Sequence, residues 1–339
     1  MRFYFKIILL ITTVSFASLA LAQDIHFSQF YFSPLTLNPA STGNFDGKLR
    51  FMNNYRRQWD AFSFPYQTTS IGLDRTFLLK GDDKINAGFI YLNDQSGGQN
   101  LNVNKFFLSL SYHKVFNRNK ILLGIQPGYV MKKFSTDGIT FPDQYNQQTG
   151  YYNPSVSSQV SLEGTAVSYF DINAGLIWKP GFKKIDAEIG AAFFHLNQPS
   201  ESFTGLNNKL SVRQVYYAQS SIPLGSRFWF KPHALYMTHS AASDLVFGTQ
   251  GVYNFSNVSG LLRAPFIGIY MRNGFSRNID AVIITGGIYF NHWTIGVSWD
   301  MNVSKLSEAT NNHGALEFAI IYKTFYKEFE KIIIPCDVY

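Results

Sequence analysis

The side chains best suited to metal binding or nucleophilic catalysis are widely separated along this sequence. There are seven histidines, and no two have the spacing of a zinc-binding motif. The single cysteine, Cys336, can form neither an internal disulfide nor a zinc site by itself. Hydrolase, zinc-protease and phosphate-loop signatures are also missing from the sequence. We expect no enzyme, no cofactor and no metal. Two alternatives stay open: a metal site assembled across separate strands, and a phospholipase or protease with a Ser-His or Asp-His grouping.

The other polar residues of the chain lie mostly in segments where apolar and polar residues alternate. From Trp293 to Val303, large apolar residues alternate with small or polar ones, as in a β-strand with one apolar face. Similar stretches recur, and they predict fourteen strands, an even number as in bacterial single-chain barrels. The expected ranges are 48–56, 66–77, 84–93, 102–116, 120–132, 167–179, 184–195, 210–222, 226–237, 244–256, 260–271, 280–290, 293–303 and 313–324.

The same alternation assigns two carboxylates to the polar face. Asp171 lies between Phe170 and Ile172, and Glu317 lies between Leu316 and Phe318. A one-residue slip would turn either carboxylate toward lipid, at a cost of up to roughly a few kcal/mol near the bilayer midplane. We therefore predict that Asp171 and Glu317 face a lumen, where Arg or Lys residues of facing strands would pair with them.

Residues 1–22 have the features of a secretory signal peptide. Arg2 and Lys6 precede an apolar run, and Ala20-Leu21-Ala22 has the form of a signal-peptidase site. Cleavage there would start the mature chain at Gln23 and lower the net charge from +7 to +5, because Arg2 and Lys6 are removed. No later stretch is continuously apolar over the roughly 18 residues that a membrane-spanning helix needs.

Composition favours a barrel in a membrane. Aromatic residues make up 17% of the chain and charged residues 15%, while the mean hydropathy is only -0.06. Lipid-facing apolar and lumen-facing polar residues average to such a value, and aromatic residues concentrate at membrane interfaces. A soluble β-sandwich also alternates, but the long strands and the lack of a dividing linker favour a transmembrane antiparallel β-barrel over residues 48–339. The basic residues are scattered, so we expect no nucleic-acid partner.

Loop lengths predict an orientation. Turns after even-numbered strands are short, such as 117–119, 223–226 and 257–259, whereas loops after odd-numbered strands are mostly longer, above all 133–166. In outer-membrane barrels the short turns face the periplasm and the long loops face outward.

Residues 23–47 do not read as a strand hairpin. Asn38-Pro39 and Thr42-Gly43 are turn signals, and apolar residues from Phe27 to Leu35 have a helix-like spacing that predicts a short helix before Pro34. An aromatic segment of this kind must be covered. It could tuck into the periplasmic mouth of the barrel as a plug, or it could bind a partner.

These residues also carry a family resemblance. His26-Phe27-Ser28-Gln29-Phe30-Tyr31, Pro34 and Leu37-Asn38-Pro39-Ala40-x-x-Gly43 resemble the opening of the PorP/SprF family of type IX secretion system membrane proteins. Tyr55-Arg56-Arg57-Gln58-Trp59 is similar to the next motif of that family, and His313, Leu316-Glu317 and Pro335-Cys336 resemble its C-terminal region.

The resemblance implies a non-enzymatic outer-membrane component from Bacteroidetes. Such a protein would aid secretion or surface attachment of cargo proteins, including gliding adhesins, by binding their C-terminal signal domain. It would sit in outer-membrane lipid and contact periplasmic type IX or peptidoglycan-binding components. Residues with a possible partner-binding role are His26, Phe27, Gln29, Tyr31, Asn38, Pro39, Arg57 and Trp59.

Competing interpretations remain for these residues and for the whole chain. His26 and Asn38 could instead have turn and capping roles inside a plug. Arg56, Arg57 and Trp59 could form an ordinary interfacial girdle rather than a site for lipopolysaccharide or cargo. The protein itself could be a transport barrel for apolar or small solutes with residues 23–47 as its plug, or a passive barrel linked to peptidoglycan.

Overall fold

Fourteen long strands form a closed antiparallel barrel in the computed structural model, which confirms the predicted fold class. It describes residues 26–59, 65–79, 81–96, 101–135, 140–153, 155–156, 158, 164–203, 208–240, 242–255, 263–274, 279–304, 307 and 312–324. The expected signal peptide, the expected turn at 257–259 and Cys336 lie outside these residues.

The strands agree with the predicted ranges to within three residues at either end. They are β1 Leu49–Gln58, β2 Tyr66–Leu78, β3 Lys84–Ser96, β4 Leu101–Phe116, β5 Asn119–Lys133, β8 Ala166–Lys179, β9 Asp186–Phe194, β10 Arg213–Leu224, β11 Phe228–His239, β12 Ala242–Tyr253, β13 Arg263–Gly274, β14 Ile279–Phe290, β15 Trp293–Asn302 and β16 His313–Thr324. Two further strands, β6 Tyr145–Asn146 and β7 Tyr151–Tyr152, pair as a small hairpin that the sequence did not predict.

Each barrel strand pairs with its neighbours in chain order, and β1 pairs with β16 to close the cylinder. Side chains alternate as the sequence indicates. In β15, Trp293, Ile295 and Val297 are exposed on the outside, while Ser298 and Asp300 are buried inside. Because each barrel strand has a hydrogen-bonded neighbour on both sides and the exterior is apolar, the barrel leaves no free sheet edge to face lipid.

The two ends of the barrel differ in their connections. One end, called the short-turn end, has connections such as 117–118 and 291–292; the other, the long-loop end, carries loops 134–165 and 195–212. Within the described residues, no helix is long and apolar enough to cross a membrane.

The segment before β1 contains three short helical turns. They are a 3-10 turn at Phe30–Phe32, an α-helix at Pro34–Leu37 and a 3-10 turn at Pro39–Ser41. The predicted helix before Pro34 is therefore only a 3-10 turn, and the α-helix begins at Pro34. Proline is favoured at a first helical position, because its fixed φ suits the helix and its missing N–H would lack a helical partner.

Candidate functional site

Residues 26–47, called here the lumen segment, run through the inside of the barrel. His26 lies beside Arg213, His239 and Ala242, at the long-loop end. Lys48, which follows the segment, donates its backbone N–H to the carbonyl of Thr324 at the short-turn end. The segment therefore spans the height of the lumen and is not confined to one mouth.

The segment is held near the long-loop end by a buried group of charges, called here the long-loop clamp. The two oxygens of the Glu317 carboxylate accept the backbone N–H groups of Ser28 and Gln29, at 2.7 and 2.9 Å. The Ser28 hydroxyl donates to Asp300 at 2.6 Å. Arg56 forms ion pairs with both Glu317 and Asp300, and its guanidinium also donates to the Ser28 hydroxyl.

A second arginine completes the charge balance of this clamp. Arg272 donates to Asp300 at 3.0 Å and lies 3.4 Å from the partly exposed carboxylate of Asp280. Buried carboxylates are tolerated only when they are paired and hydrogen-bonded. The two arginines meet that requirement, and Glu317 and the Oδ2 atom of Asp300 also bind the lumen segment. Among the described residues, Oδ1 of Asp300 has no hydrogen-bond partner.

A smaller group, the short-turn clamp, holds the other end of the segment. Arg50 on β1 makes two hydrogen bonds to Asp74 on β2, at 3.0 and 2.7 Å, and a third to the carbonyl of Ser41. Asp74 also accepts the backbone N–H of Gly43 at 2.7 Å. Gly43 has φ of +71°, and a Cβ there would overlap Asn86, so only glycine fits this turn without strain.

Asn38 connects the middle of the segment to the barrel wall. Its side-chain N–H groups donate to the carbonyls of Leu176 on β8 and Ala191 on β9, both at 3.1 Å, and its Oδ1 caps the following turn by accepting from Ala40 N. A Cβ at Gly175 would overlap this amide, so the wall has glycine where the segment approaches most closely. Pro39, buried beside it, begins that turn.

Aromatic rings pack between the segment and one part of the wall. Tyr31 stacks on His233 with ring centroids 4.8 Å apart and on Tyr270 at 5.6 Å. Phe32 packs edge-on against Phe266 at 5.5 Å. Offset and edge-on ring pairs add to the burial energy, so these contacts stabilise the segment in the lumen.

The structure places the predicted site residues in two groups. Six of them lie inside the lumen against strands of the same chain: His26, Phe27, Gln29, Tyr31, Asn38 and Pro39. Asn38 and Tyr31 bind the wall directly, whereas the side-chain amide of Gln29 is buried without a hydrogen-bond partner among the described residues. Arg57 and Trp59 lie at the long-loop rim, where Arg57 points outward and the Trp59 ring meets Tyr66 edge-on at 4.9 Å.

Both predicted lumen carboxylates are buried on the inner face. Glu317 pairs with Arg56 of the neighbouring strand. Asp171 has His195 as its partner, 2.8 Å away, rather than the Arg or Lys that the sequence suggested. The interfacial role considered for Arg56 is wrong, because its side chain points into the long-loop clamp and is 5% exposed.

Sequence reasoning missed most of the clamp residues. Arg50 and Arg56 have the same parity in β1, and Asp74, Arg272 and Asp300 have the lumen-facing parity of their own strands. Charged residues at lumen-facing positions were therefore the available signal. What the sequence could not supply is which of them meet, because that depends on register around the cylinder.

An apolar exterior, closed pairing and a polar lumen define the class of this protein as an outer-membrane β-barrel. The sequence model described as "Type IX secretion system membrane protein PorP/SprF" matches residues 20–322, which confirms the resemblance seen in the motifs. The chain belongs to the PorP/SprF family.

Solved structures of other barrels are similar only in outline. The β domain of the Bordetella autotransporter BrkA is 11% identical with a TM-score of 0.39, covering 83% of this chain and 100% of that one. A bacterial polysaccharide outer-membrane secretin is 11% identical, with a TM-score of 0.40 and coverage of 82% and 99%. The translocator domain of NalP from Neisseria meningitidis is 10% identical, with a TM-score of 0.33 and coverage of 81% and 88%. No curated protein matches the chain.

Proposed function

We propose that this component of the type IX secretion system aids secretion and surface attachment of cargo proteins by binding their C-terminal signal domain, without catalysing a reaction. Cargo would include gliding adhesins of a Bacteroidetes cell. The protein would reach the outer membrane after signal cleavage before Gln23, with the long-loop end outward and the short-turn end in the periplasm.

The observation that carries this proposal is the occupied lumen. The lumen segment is clamped near both ends and packed against the wall between them. A barrel filled by its own chain offers its two rims to other proteins. Binding of cargo at a rim therefore fits the structure better than passage of solutes through a movable plug.

The long-loop rim has a surface suited to protein binding. The β6–β7 hairpin projects three exposed tyrosines, with Tyr151 77% exposed and Tyr145 and Tyr152 about half exposed. Tyrosine supplies large contact area at low entropic cost and is enriched in protein interfaces. We therefore place cargo binding at this hairpin, with the outward-facing Arg57 and the rim residue Trp59 as further contacts.

Deletion of the gene tests the function. Surface labelling and fractionation should show that a cargo protein is lost from the cell surface. Intact cargo display, in a strain without a paralogue that substitutes, would contradict the proposal.

Substitution of the hairpin tests the site. Replacing Tyr145, Tyr151 and Tyr152 by alanine should reduce binding of a purified cargo signal domain by about tenfold or more, as for aromatic interface residues. The matched control replaces Gln147 and Gln148, exposed in the same hairpin, by alanine, and it should bind normally. If both variants bound the cargo signal domain equally well, the hairpin tyrosines would not be the binding site, and the site would have to lie elsewhere on the rim.

Single-channel recording separates this function from transport. The wild-type barrel should show no steady conductance in a planar bilayer. A steady solute flux that depends on residues 26–47 would instead favour the transport barrel.

A further inference from the structure

A large cavity opens at the short-turn end of the lumen, on the other side of the lumen segment from the long loops. Its volume is about 1070 Å³, at the upper limit of typical small-molecule sites. Its inner wall is formed by the lumen segment, including Tyr31, Leu37 and Phe45. This cavity is called here the vestibule.

The vestibule is basic. Nine Lys and Arg residues line it, against four Asp and Glu residues. Five of the lysines come from five different strands and occupy lumen-facing positions near their short-turn ends: Lys84, Lys120, Lys179, Lys231 and Lys323. These lysines are scattered in the sequence, and barrel closure brings them together.

The charges of the vestibule are only partly neutralised. Lys179 lies 3.4 Å from Asp186 and 3.7 Å from Glu188. Among the described residues, Lys84, Lys120 and Lys323 form no ion pair. Lys84 is repelled by Lys120 and Lys179 and attracted by Asp46 and Asp82, so the surrounding charges balance one another only in part. A cluster of like charges in a confined cleft raises the local potential and attracts anions.

We infer that the vestibule binds an acidic segment of a polypeptide that enters from the short-turn side, the periplasmic side in the proposed orientation. The inference rests on the proposed function for that orientation, and it adds a second protein-binding site opposite the cargo rim.

The arrangement of the charges favours a polypeptide over a polyphosphate. The lysines are distributed around the circumference, which suits several separated carboxylates better than one compact phosphate group. Acidic residues such as Asp46 and Glu188 lie among the lysines, so the cationic positions are separated from one another and do not form one continuous phosphate-sized patch.

Other wall groups suit a peptide as well. Phe182 and Ile185, both exposed, lie at the vestibule and offer apolar contacts. Ser220 and Ser221 also line it, at a gap in the pairing between β10 and β11. Their hydroxyl groups, with the backbone polar groups at the gap, can bond a peptide main chain.

Fluorescence anisotropy with the purified full-length barrel in detergent tests this inference. The probe is a fluorescein-labelled deca-glutamate peptide, with a neutral Gly-Ser peptide of equal length for comparison. The wild-type protein should bind deca-glutamate and not the neutral peptide, and binding should weaken as salt rises. Absence of deca-glutamate binding at low salt would overturn the inference.

Two double variants locate the site. Lys84→Gln/Lys120→Gln should weaken deca-glutamate binding by about tenfold, as two partly screened ion pairs would. Lys133→Gln/Lys209→Gln removes the same charge from exposed lysines at the long-loop end and should bind as the wild type does. An equal loss in both variants would show general charge attraction and overturn the inference.

A competition arm identifies the ligand class. Excess unlabelled deca-glutamate should displace the probe more effectively than tripolyphosphate at equal charge concentration. Preferential displacement by tripolyphosphate would assign the vestibule to phosphates and reject a peptide. These binding results do not depend on cargo display, so the vestibule and the proposed function can fail separately.

Discussion

Two groups of charges in the lumen, the long-loop clamp and the vestibule lysines, differ in whether they are paired. The short-turn clamp of Arg50 and Asp74 is paired, like the long-loop clamp. At the long-loop end, Arg56 and Arg272 are each paired with buried carboxylates. Of these carboxylates, Glu317 also binds the backbone of the lumen segment and Asp300 binds the Ser28 hydroxyl. At the short-turn end, Lys84, Lys120 and Lys323 form no ion pair among the described residues and face a cavity. Paired charges therefore hold the chain's own segment, whereas unpaired charges are available to a second molecule.

The residue types of the paired clamps and of the vestibule fit this division, since both clamps are built on arginine. Arginine's planar guanidinium forms several fixed hydrogen bonds at once, which suits a permanent buried cluster. Lysine carries a compact, well-hydrated charge on a flexible side chain, which suits a site that is sometimes filled only by water. Four predictions test the contrast.

The largest effect is expected from Glu317→Ala. This change removes the acceptor for two backbone N–H groups and leaves Arg56 with Asp300 as its buried acidic partner. Breaking a buried ion pair costs about 3–5 kcal/mol. Urea unfolding in detergent, followed by loss of the compact band in unheated electrophoresis, should show this loss.

A control for that prediction lies at the edge of the same cluster. Asp280 is about one-third exposed and pairs with Arg272 at 3.4 Å, so Asp280→Ala should cost at most about 1 kcal/mol. If both variants lost the same free energy of unfolding, burial would not determine how much an ion pair of the long-loop clamp stabilises the protein.

A smaller loss is expected from Gly43→Ala at the short-turn clamp. The added Cβ would meet Asn86, and the positive φ is unfavourable for alanine, for a total of about 2–3 kcal/mol. Gly81→Ala is the matched control, because Gly81 has φ of +80° but nothing within 4 Å of a Cβ. Its unfolding midpoint should move by about half as much or less, since only backbone strain remains.

The vestibule lysines should contribute little to stability. Lys84→Gln/Lys120→Gln should change the free energy of unfolding by no more than about 0.5 kcal/mol in 0.5 M salt, because no ion pair is lost. In low salt the variant should become slightly more stable than the wild type, since repulsion is relieved. A clear destabilisation would mean that these lysines are structural, and the contrast between the paired clamps and the vestibule would be lost.

The smallest effect is expected at a turn outside the strands. The Lys114 ammonium, the Tyr112 hydroxyl and the Val115 N–H lower the pKa of Asp83 to about 2, from an ordinary value of 3.8. Asp83 therefore stabilises the folded protein above about pH 4, and this contribution is lost as the pH falls toward 2. Asp83→Asn should narrow the difference between unfolding midpoints at pH 6 and pH 2. An unchanged difference would contradict the role of Asp83.

The strands of the barrel could be predicted from the sequence, but the contacts of the segment inside the lumen could not. Alternation in segments such as Trp293–Asn302 is a local property, so strand number, face and approximate bounds could be read directly. The motif from His26 to Gly43 also marked a segment that is not strand. Its residues could not be placed, because the partners of Ser28, Asn38 and Gly43 lie up to 289 positions away in sequence.

The vestibule shows the same limit. Lys84 and Lys323 lie 239 positions apart in the sequence, and each alone looks like an ordinary strand-end lysine. Only the order of strands around the closed sheet places them at one mouth. The number of charged residues at lumen-facing positions could be counted from the sequence. That these lysines meet at one end of the barrel could not be predicted.

The direct pairing of Arg56 with Glu317 across β1 and β16 has a consequence for biogenesis. These are the first and last strands of the barrel. The Glu317 carboxylate, which binds Ser28 and Gln29, therefore meets Arg56 only when β1 pairs with β16. Insertion of the amino-terminal stretch and joining of the two chain ends are thus energetically linked. A barrel that closed without the lumen segment inside would leave Glu317 without its two backbone N–H donors. Its β1–β16 pairing would therefore open more readily than that of a barrel with the segment in place.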